Sequence, residues 1–274
     1  MEQHAKNPGR NGMEDLQTLL TAEDPEPVAS YREKEAAGPV LLVCEHAGRR
    51  IPARLGDLGL SAEDRMRHIA WDVGAAGLAR ELARRLDACL LMQPYSRLVC
   101  DCNRRPDVDS FIVTVSEDTP VPGNMDLDPA QRRARIREVF EPFHRKVAAT
   151  VEDRLARGRT TVFVTVHSFT PVFLGRKRPM HIGLLYNRHR ELAARVGRRL
   201  RRTEGLVVAD NEPYAMDDES DYTVPFHAER RGLPCLEIEV RHDLLRDAEG
   251  QRRMADVLAA ALAPSVAEVA GTGR

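Results

Sequence analysis

Two histidines lie at the ends of predicted buried strands, and this placement indicates a metal site. His46 follows the apolar run at residues 40–44, and His167 follows the run at residues 161–166. In an open α/β sheet, ligands bind beyond the carboxyl ends of the strands, so histidines from two strands can meet there. Neutral imidazole suits zinc, and a catalytic zinc takes three protein ligands and leaves one position for water. Neither histidine belongs to a spacing signature such as H-E-x-x-H, and either one alone is better explained as an ordinary loop or capping residue.

Acidic and basic residues lie at two further predicted strand ends. Glu237 and Glu239 are two positions apart in the run at residues 235–240, so they share one face of that predicted strand. Two carboxylates on one face raise each other's proton affinity, which suits general acid–base chemistry. The polar run D-C-N-R at residues 101–104 follows a fourth predicted strand at 97–100.

The elements that must position these residues alternate along the chain. Further strands are predicted at residues 89–93, 181–186 and 206–209, and helices at residues 61–86 (interrupted near 71–74), 128–158, 188–202 and 248–262. Strands that alternate with helices of this length predict an α/β fold, in which a mostly parallel mixed sheet carries helices on both faces. Residues 1–37 are polar and acidic, and we expect a flexible N-terminal extension there. Residues 38–274 are predicted to form a single α/β domain.

Composition excludes several classes of protein. The 274 residues include 41 basic and 42 acidic side chains, a balance that argues against a dedicated nucleic-acid-binding protein. No apolar run approaches the ~20 residues that a membrane-spanning helix needs, so we expect no membrane association. The five cysteines are scattered and form no C-x-x-C pair, which argues against a disulfide framework. Because no secretory signal precedes the domain, a cytoplasmic location is the expectation.

Five short motifs together resemble one known family. They are E-H-A-G-x-x-I-P at 45–52, W-D at 71–72, S-R-x-x-x-D-x-N-R at 96–104, V-H-S-F-T-P at 166–171 and E-I-E-V-R at 237–241. In this order they resemble the N-formylglutamate amidohydrolase family, in particular its broader predicted branch, over residues 38–262. That family is similar in fold to the zinc carboxypeptidases (the phosphorylase/hydrolase-like fold) and to the aspartoacylase-type amidohydrolases. The resemblance therefore implies one Zn²⁺ per chain and hydrolysis of a linear amide.

The resemblance also suggests which residues bind the metal. It implies His46 and His167 as two zinc ligands. The carboxypeptidase pattern has a glutamate three residues after the first histidine, but Arg49 occupies that position here. Asp72 is the proposed third ligand, with Glu45 as the second choice; Asp72 also fits an ordinary helix cap.

Catalytic and substrate-binding roles follow from the same resemblance. Glu239 is expected to be the general base, with Glu237 as the alternative. Arg97 is expected to stabilise the oxyanion that forms during attack. The residues expected to contact the substrate are Asn103 and Arg104, which would hold its carboxylate, together with Ser168 and Tyr214.

The expected reaction is hydrolysis of an N-formyl or other N-acyl amino acid, a small-molecule substrate. N-formylglutamate, which would give formate and glutamate, is the first choice. Its second carboxylate would require a further cation, and Arg176, Lys177 and Arg178 are the candidates. The alternatives are a carboxypeptidase-like or aspartoacylase-like hydrolase of another acylated amino acid or small peptide, and a non-catalytic metal-binding protein with this fold. The sequence leaves the oligomeric state open.

Overall fold

The computed structural model of the protein describes residues 18–219 and 221–271. Its strands are β1 (Ala29–Tyr31), β2 (Val40–Cys44), β3 (Cys89–Met92), β4 (Val115–Ser116), β5 (Thr119–Pro120), β6 (Val162–Phe169), β7 (Val172–Phe173), β8 (Arg176–Lys177), β9 (Ile182–Leu185), β10 (Val208–Asp210) and β11 (Cys235–Arg241). Its α-helices are α1 (Ala75–Arg85), α2 (Pro129–Arg135), α3 (Glu141–Ala156), α4 (Glu191–Leu200) and α5 (Ala248–Gly271). Short 3₁₀ segments are Ala53–Leu55, Asp64–Met66, Asp109–Phe111, Pro122–Asn124, Glu229–Arg231 and His242–Leu245, and π-helical turns are Ile136–Phe140 and Val224–Ala228.

A seven-stranded mixed sheet forms the centre of the molecule, in the order β1-β3-β2-β6-β11-β9-β10. Four pairs of neighbouring strands are parallel: β3–β2, β2–β6, β6–β11 and β9–β10. Two pairs are antiparallel: β1–β3 and β11–β9. Strands β2, β3, β6 and β9 are buried along their whole length, as expected of strands covered on both faces. The predicted α/β fold with a mostly parallel mixed sheet is confirmed.

Alternate residues of each central strand face two separate hydrophobic cores. Leu42 of β2 packs in one core with the buried faces of α1, α4 and α5. Leu41, its neighbour, packs in the other core with α3 and the π-helical turn before it. Because successive side chains of a strand point to opposite faces, the sheet must separate these two layers. The helices on both faces hold the strand ends in fixed positions.

The predicted helix at residues 128–158 is present as two α-helices joined by the π-helical turn Ile136–Phe140. Its predicted start is confirmed, because the Asp128 side chain accepts hydrogen bonds from the backbone N–H groups of Ala130 and Gln131 and Pro129 occupies the first helical position. The helix predicted from residue 61 is wrong in its first half: α1 begins at Ala75, after a 3₁₀ turn and the loop at 67–74. That loop carries Asp72.

The predicted strand at residues 97–100 is a turn. After β3 the chain leaves the sheet at Pro94, and the backbone N–H of Arg97 donates to Ala70 O at 3.2 Å instead of to a strand. A second turn bond joins Val99 N to Ser96 O. The turn therefore fastens the S-R motif to the loop that carries Asp72, which a strand could not do.

The N-terminal boundary predicted at residue 38 is also wrong for the part of the extension that the structure describes. Ala29–Tyr31 forms the edge strand β1, which pairs antiparallel with β3. Leu19 is buried, and its backbone N–H and that of Leu20 donate to the Glu138 carboxylate. Residues 18–37 thus belong to the domain, whereas residues 1–17 lie outside the described residues.

No apolar segment of membrane-spanning length is expected from the sequence, but helix α5 is such a segment. Its 24 residues have a mean hydropathy of 1.4 over the most apolar stretch, so by length and composition it could cross a membrane. Half of that stretch is buried inside the protein, and Leu258 and Leu262 pack in the core with α1 and α4. This pattern is typical of a core helix.

A buried histidine pair predicts loss of stability in acid. His144 Nε2 lies 2.8 Å from the Cys102 carbonyl, so it must donate there, and Nδ1 accepts from His227 Nε2 at 2.9 Å. Burial lowers the pKa of His144 from 6.5 to about 4. Between these two values the unfolded chain binds a proton that the folded chain does not, so the free energy of unfolding falls as the pH falls. We expect this one group to cost about 3 kcal/mol between pH 7 and pH 4.

Urea unfolding as a function of pH checks this prediction. His144→Gln should show a shallower loss of stability between pH 6.5 and 4.5 than the wild type, because the titrating group is gone. His189→Gln, in the loop before α4, serves as the matched control and should keep the wild-type slope. Parallel curves for His144→Gln and the wild type would refute the assignment.

Candidate metal centre and active site

His46, Asp72 and His167 form a compact buried cluster at the carboxyl ends of β2 and β6. One ligand atom from each residue lies within 4.8 Å of the other two. His167 Nδ1 lies 2.9 Å from Asp72 Oδ2, and His46 Nδ1 lies 3.5 Å from Asp72 Oδ1. The two imidazole centroids are 5.0 Å apart. The structure thus brings together the three residues that the sequence suggested as metal ligands.

Local features of the chain explain this convergence. After β2 the backbone turns against Pro94 so closely that a Cβ at Gly48 would lie 1.9 Å from the Pro94 carbonyl oxygen, so only glycine fits in the E-H-A-G motif. Gly74, with φ +81°, likewise turns the Asp72 loop into α1 against Leu245. The Asp72 backbone N–H donates to His46 O at 3.0 Å. The two loops are therefore held together before any ion is bound.

Asp72 does not cap a helix. Its Oδ2 atom accepts from the backbone N–H of Ser168 at 3.1 Å and faces His167, whereas Gly74 occupies the N-cap position of α1. Arg49 lies elsewhere, with its guanidinium 5.1 Å from the Trp71 ring centroid. The position that holds a ligand in the carboxypeptidase pattern is thus turned away from the cluster, and Asp72 supplies the carboxylate.

Each of the two histidines has a further carboxylate beside its Nε2 atom, which we call its brace. His46 Nε2 lies 2.6 Å from Asp101 Oδ1, and His167 Nε2 lies 3.1 Å from Glu45 Oε2. An ionised carboxylate only accepts hydrogen bonds, so His46 Nε2 carries the proton and His46 Nδ1 keeps its lone pair. His167 has a carboxylate beside each nitrogen, Asp72 Oδ2 at Nδ1 and Glu45 Oε2 at Nε2. Such outer carboxylates orient metal-binding histidines and fix their tautomer. Glu45, the second choice for third ligand, has this bracing position instead.

The cluster carries an excess of negative charge that a cation would balance. Burial opposes protonation of His167, yet the carboxylates of Glu237 and Glu45 raise its pKa well above the usual value. Burial likewise opposes ionisation of Asp72, yet His46 and His167 hold its pKa below its ordinary value. His46 Nδ1 is buried and has no hydrogen-bond partner among the described residues. Two neutral imidazole nitrogens and a carboxylate oxygen match the donor set of a catalytic zinc site, so the residues present fit such an ion.

The two glutamates of β11 lie beside the cluster but differ in their surroundings. Glu239 is paired in register with His167 on the neighbouring strand β6, and its Oε2 atom is buried without a partner. Glu237 Oε2 accepts from Thr165 Oγ1 at 3.2 Å. Burial raises the pKa of Glu239 well above its ordinary value and that of Glu237 to about 7. Of the two β11 glutamates, Glu239 is therefore the one with a buried oxygen that has no hydrogen-bond partner among the described residues.

Arg97 reaches into the same space. Its Nη2 donates to Asp101 Oδ2 at 2.5 Å, and its Nη1 lies 3.7 Å from Asp72 Oδ1. The side chain keeps 28% of its surface exposed, so the guanidinium faces the cavity while Asp101 fixes its position. Asp101 thus orients both Arg97 and His46.

The residues expected to contact substrate also line this cavity, but several already have partners within the protein. Asn103 Oδ1 accepts from the backbone N–H of Thr223 at 3.1 Å, and Arg104 Nη1 donates to Asp221 Oδ1 at 3.0 Å. Ser168 Oγ donates to the Val73 carbonyl at 2.9 Å. Tyr214 is more open, with 44% of its surface exposed. Direct contact of these four residues with a substrate stays a prediction.

A single cavity of about 460 Å³ connects the cluster with all of these side chains. The sequence-predicted residues that line it are His46, Asp72, Arg97, Asn103, Arg104, His167, Ser168, Tyr214 and Glu239. Sequence reasoning gave no role to Asp101, although the residue stands in the quoted S-R-x-x-x-D-x-N-R motif. It also missed Phe169, although this residue stands in the quoted V-H-S-F-T-P motif, and Asp221 and Phe173, which lie outside the quoted motifs.

The sheet, its strand-end cavity and the His–Asp–His cluster define an α/β protein with a candidate metal centre. The family model for N-formylglutamate amidohydrolase matches residues 38–246. The chain therefore belongs to the N-formylglutamate amidohydrolase family, which makes it an amidohydrolase with a small-molecule substrate and confirms the resemblance noted in the sequence.

Solved structures agree with this placement. Gene product Atu2144 from Agrobacterium tumefaciens superposes with a TM-score of 0.88 and 39% sequence identity, over 92% of this chain and 99% of its own. N-formylglutamate amidohydrolase from Ralstonia eutropha JMP134 shares the fold, with a TM-score of 0.64 and 20% identity over 90% of this chain and 98% of its own. No curated protein matches the chain significantly.

Proposed function

We propose that this protein is a zinc-dependent amidohydrolase that releases the formyl group of an N-formyl amino acid, with N-formylglutamate as the first choice of substrate. One observation carries the proposal: two carboxylate-braced histidines and Asp72 converge beside Glu239, which lines the same cavity and has a buried oxygen without a hydrogen-bond partner among the described residues. Membership of the amidohydrolase family supports the reaction class. The choice of zinc rests on the donor set.

His46, Asp72 and His167 would hold the ion through Nδ1, a carboxylate oxygen and Nδ1, respectively. A zinc ion bound there would polarise the substrate carbonyl and lower the pKa of a coordinated water to about 7. Glu239, in register with His167 on the neighbouring strand, lies outside the three-residue cluster and would stay available to a water molecule. Asp101 holds the proton on His46 Nε2, and Glu45 would accept the proton of His167 Nε2 when Nδ1 binds the ion.

Glu239 then serves as general base and general acid. It accepts the proton of the attacking water and returns it to the amine nitrogen as the C–N bond breaks. Burial raises the pKa of Glu239, so the carboxylate holds a proton more firmly than an exposed glutamate does, which suits the second transfer. Glu237 is less suited, because Thr165 already donates to one of its oxygens.

Arg97 stabilises the oxyanion that develops on the carbonyl oxygen. Its guanidinium is fixed by Asp101 before substrate binds, so little reorganisation is needed during the reaction. Arg104 is the candidate for the α-carboxylate of the substrate, since a guanidinium presents paired donors to a carboxylate. Arg104 Nη1 donates to Asp221 Oδ1 at 3.0 Å and to the Asn103 carbonyl at 3.1 Å, which fix the side chain at the cavity.

An amine-release screen tests the proposed function. N-formyl, N-acetyl and N-carbamoyl forms of glutamate, glutamine and alanine are incubated with the purified protein, with and without a chelator. We expect release from the N-formyl compounds, abolished by the chelator and restored by added Zn²⁺. Preference for acetyl compounds would favour an aspartoacylase-like hydrolase, and absence of release from all compounds would contradict an amidohydrolase of acylated amino acids.

A further inference from the structure

Arg178 is a cation at the cavity wall whose guanidinium has no carboxylate partner among the described residues. Its Nη1 donates to Tyr214 Oη at 3.0 Å. The guanidinium also lies 4.6 Å from the Phe173 ring centroid, 4.9 Å from that of Tyr214 and 5.9 Å from that of Phe169. Three rings thus hold the side chain by cation–π contacts, which position a guanidinium without neutralising its charge.

All three rings line the cavity that contains the metal cluster. Phe169 follows His167 by two residues on β6, so both side chains point to the same face of the sheet, about 7 Å apart along the strand. Tyr214 stands close enough to Arg97 and Glu239 for both charges to influence its pKa. The Arg178 guanidinium therefore packs against three side chains of the cavity wall, beyond the metal cluster along β6.

The other cations near the cavity are already paired. Arg97 binds Asp101, and Arg104 binds Asp221. Arg176 and Lys177 are exposed on strand β8 of the small hairpin with β7. Of the three cations that the sequence offers for a second substrate carboxylate, only Arg178 makes cation–π contacts with cavity residues within the described part of the chain.

We propose that Arg178 determines specificity for an acidic side chain by binding the distal carboxylate of the substrate, with Tyr214 holding it in place. This inference rests on the proposed function, since it names the side-chain subsite of the same cavity. A half-buried arginine with unused donors, fixed by aromatic rings, gives a charge-assisted contact to a carboxylate that an uncharged amide cannot match.

The test compares N-formylglutamate with N-formylglutamine, which has the same shape and lacks the charge. We expect the wild type to prefer N-formylglutamate in kcat/KM by about 10- to 100-fold. Arg178→Gln should remove this preference through a higher KM for N-formylglutamate and leave N-formylglutamine nearly unchanged. Arg178→Lys should keep part of the preference. Arg176→Gln, on the same hairpin, is the matched control and should retain all of it.

Each ratio is measured within one protein sample, so partial unfolding cancels. A wild-type ratio near one, or a ratio that Arg178→Gln leaves unchanged, would overturn the inference; so would an equal fall for both substrates, which would indicate a purely structural role. Binding of both compounds to the same variants is also measured by calorimetry. If charge-dependent binding is present but no amine is released, the proposed function fails while the subsite stands.

Discussion

Glu239→Gln is expected to lower kcat for the amide substrate by about 10²- to 10⁴-fold, the usual contribution of a general acid–base residue. Glutamine keeps the size of the side chain but can neither accept the proton of water nor deliver it to the amine. Glu239 Oε2 is buried and has no hydrogen-bond partner among the described residues, so an amide nitrogen in that position would break no hydrogen bond seen in the structure. Steady-state kinetics and the zinc content of the same preparation measure the two effects separately.

Glu237→Gln is the matched control two residues away on the same strand. Thr165 can still donate to the amide oxygen that replaces Glu237 Oε2, so we expect the variant to keep most of its activity. If Glu237→Gln is inactive and Glu239→Gln remains active, the general base is Glu237 and the assignment made here is wrong. Loss of zinc from Glu239→Gln would instead make Glu239 a ligand.

The second large effect concerns the metal. The wild type is expected to bind one zinc per chain, and His46→Ala and His167→Ala are each expected to lose it, because each substitution removes one of the three proposed ligands. Asp101→Asn keeps all three ligands but weakens the contacts of residue 101 with His46 and Arg97, so its zinc affinity should fall by about 10- to 100-fold. Elemental analysis after dialysis, followed by competition with a chelator of known affinity, measures both.

His68→Ala provides the control for this series. His68 lines the same cavity but faces Glu117 at 3.3 Å and lies outside the three-residue cluster. The variant should therefore keep its zinc. Retention of zinc in both His46→Ala and His167→Ala would show that the ion, if present, is bound elsewhere.

Sequence patterns predicted the strands that carry the site better than the connections between them. Val40–Cys44 was predicted to the residue, because a continuous apolar run bounded by polar residues is the usual pattern of a buried parallel strand. The apolar run at 97–100 has the same appearance and is a turn, since Pro94 had already taken the chain out of the sheet and Ala70 satisfies the Arg97 backbone. Local pattern cannot reveal such a long-range hydrogen bond.

In the candidate site too, some residues could be predicted from local sequence and others depend on contacts that only the fold makes. His46 and His167 were indicated by their position at strand ends, and the motif resemblance added Asp72 and Glu239. The braces at Asp101 and Glu45 could not be assigned, because they depend on which imidazole nitrogen faces which carboxylate across 55 and 122 residues of chain. The choice of Arg178 among three neighbouring cations likewise needed the aromatic rings that the fold gathers around it.

The most direct test is a zinc-edge anomalous difference map from crystals of the protein grown with Zn²⁺. One peak should lie between β2 and β6, about 2.0–2.2 Å from His46 Nδ1, His167 Nδ1 and an Asp72 oxygen, with Glu239 unbound beside it. A peak at other residues, or none in crystals of protein that hydrolyses the substrate, would contradict the account.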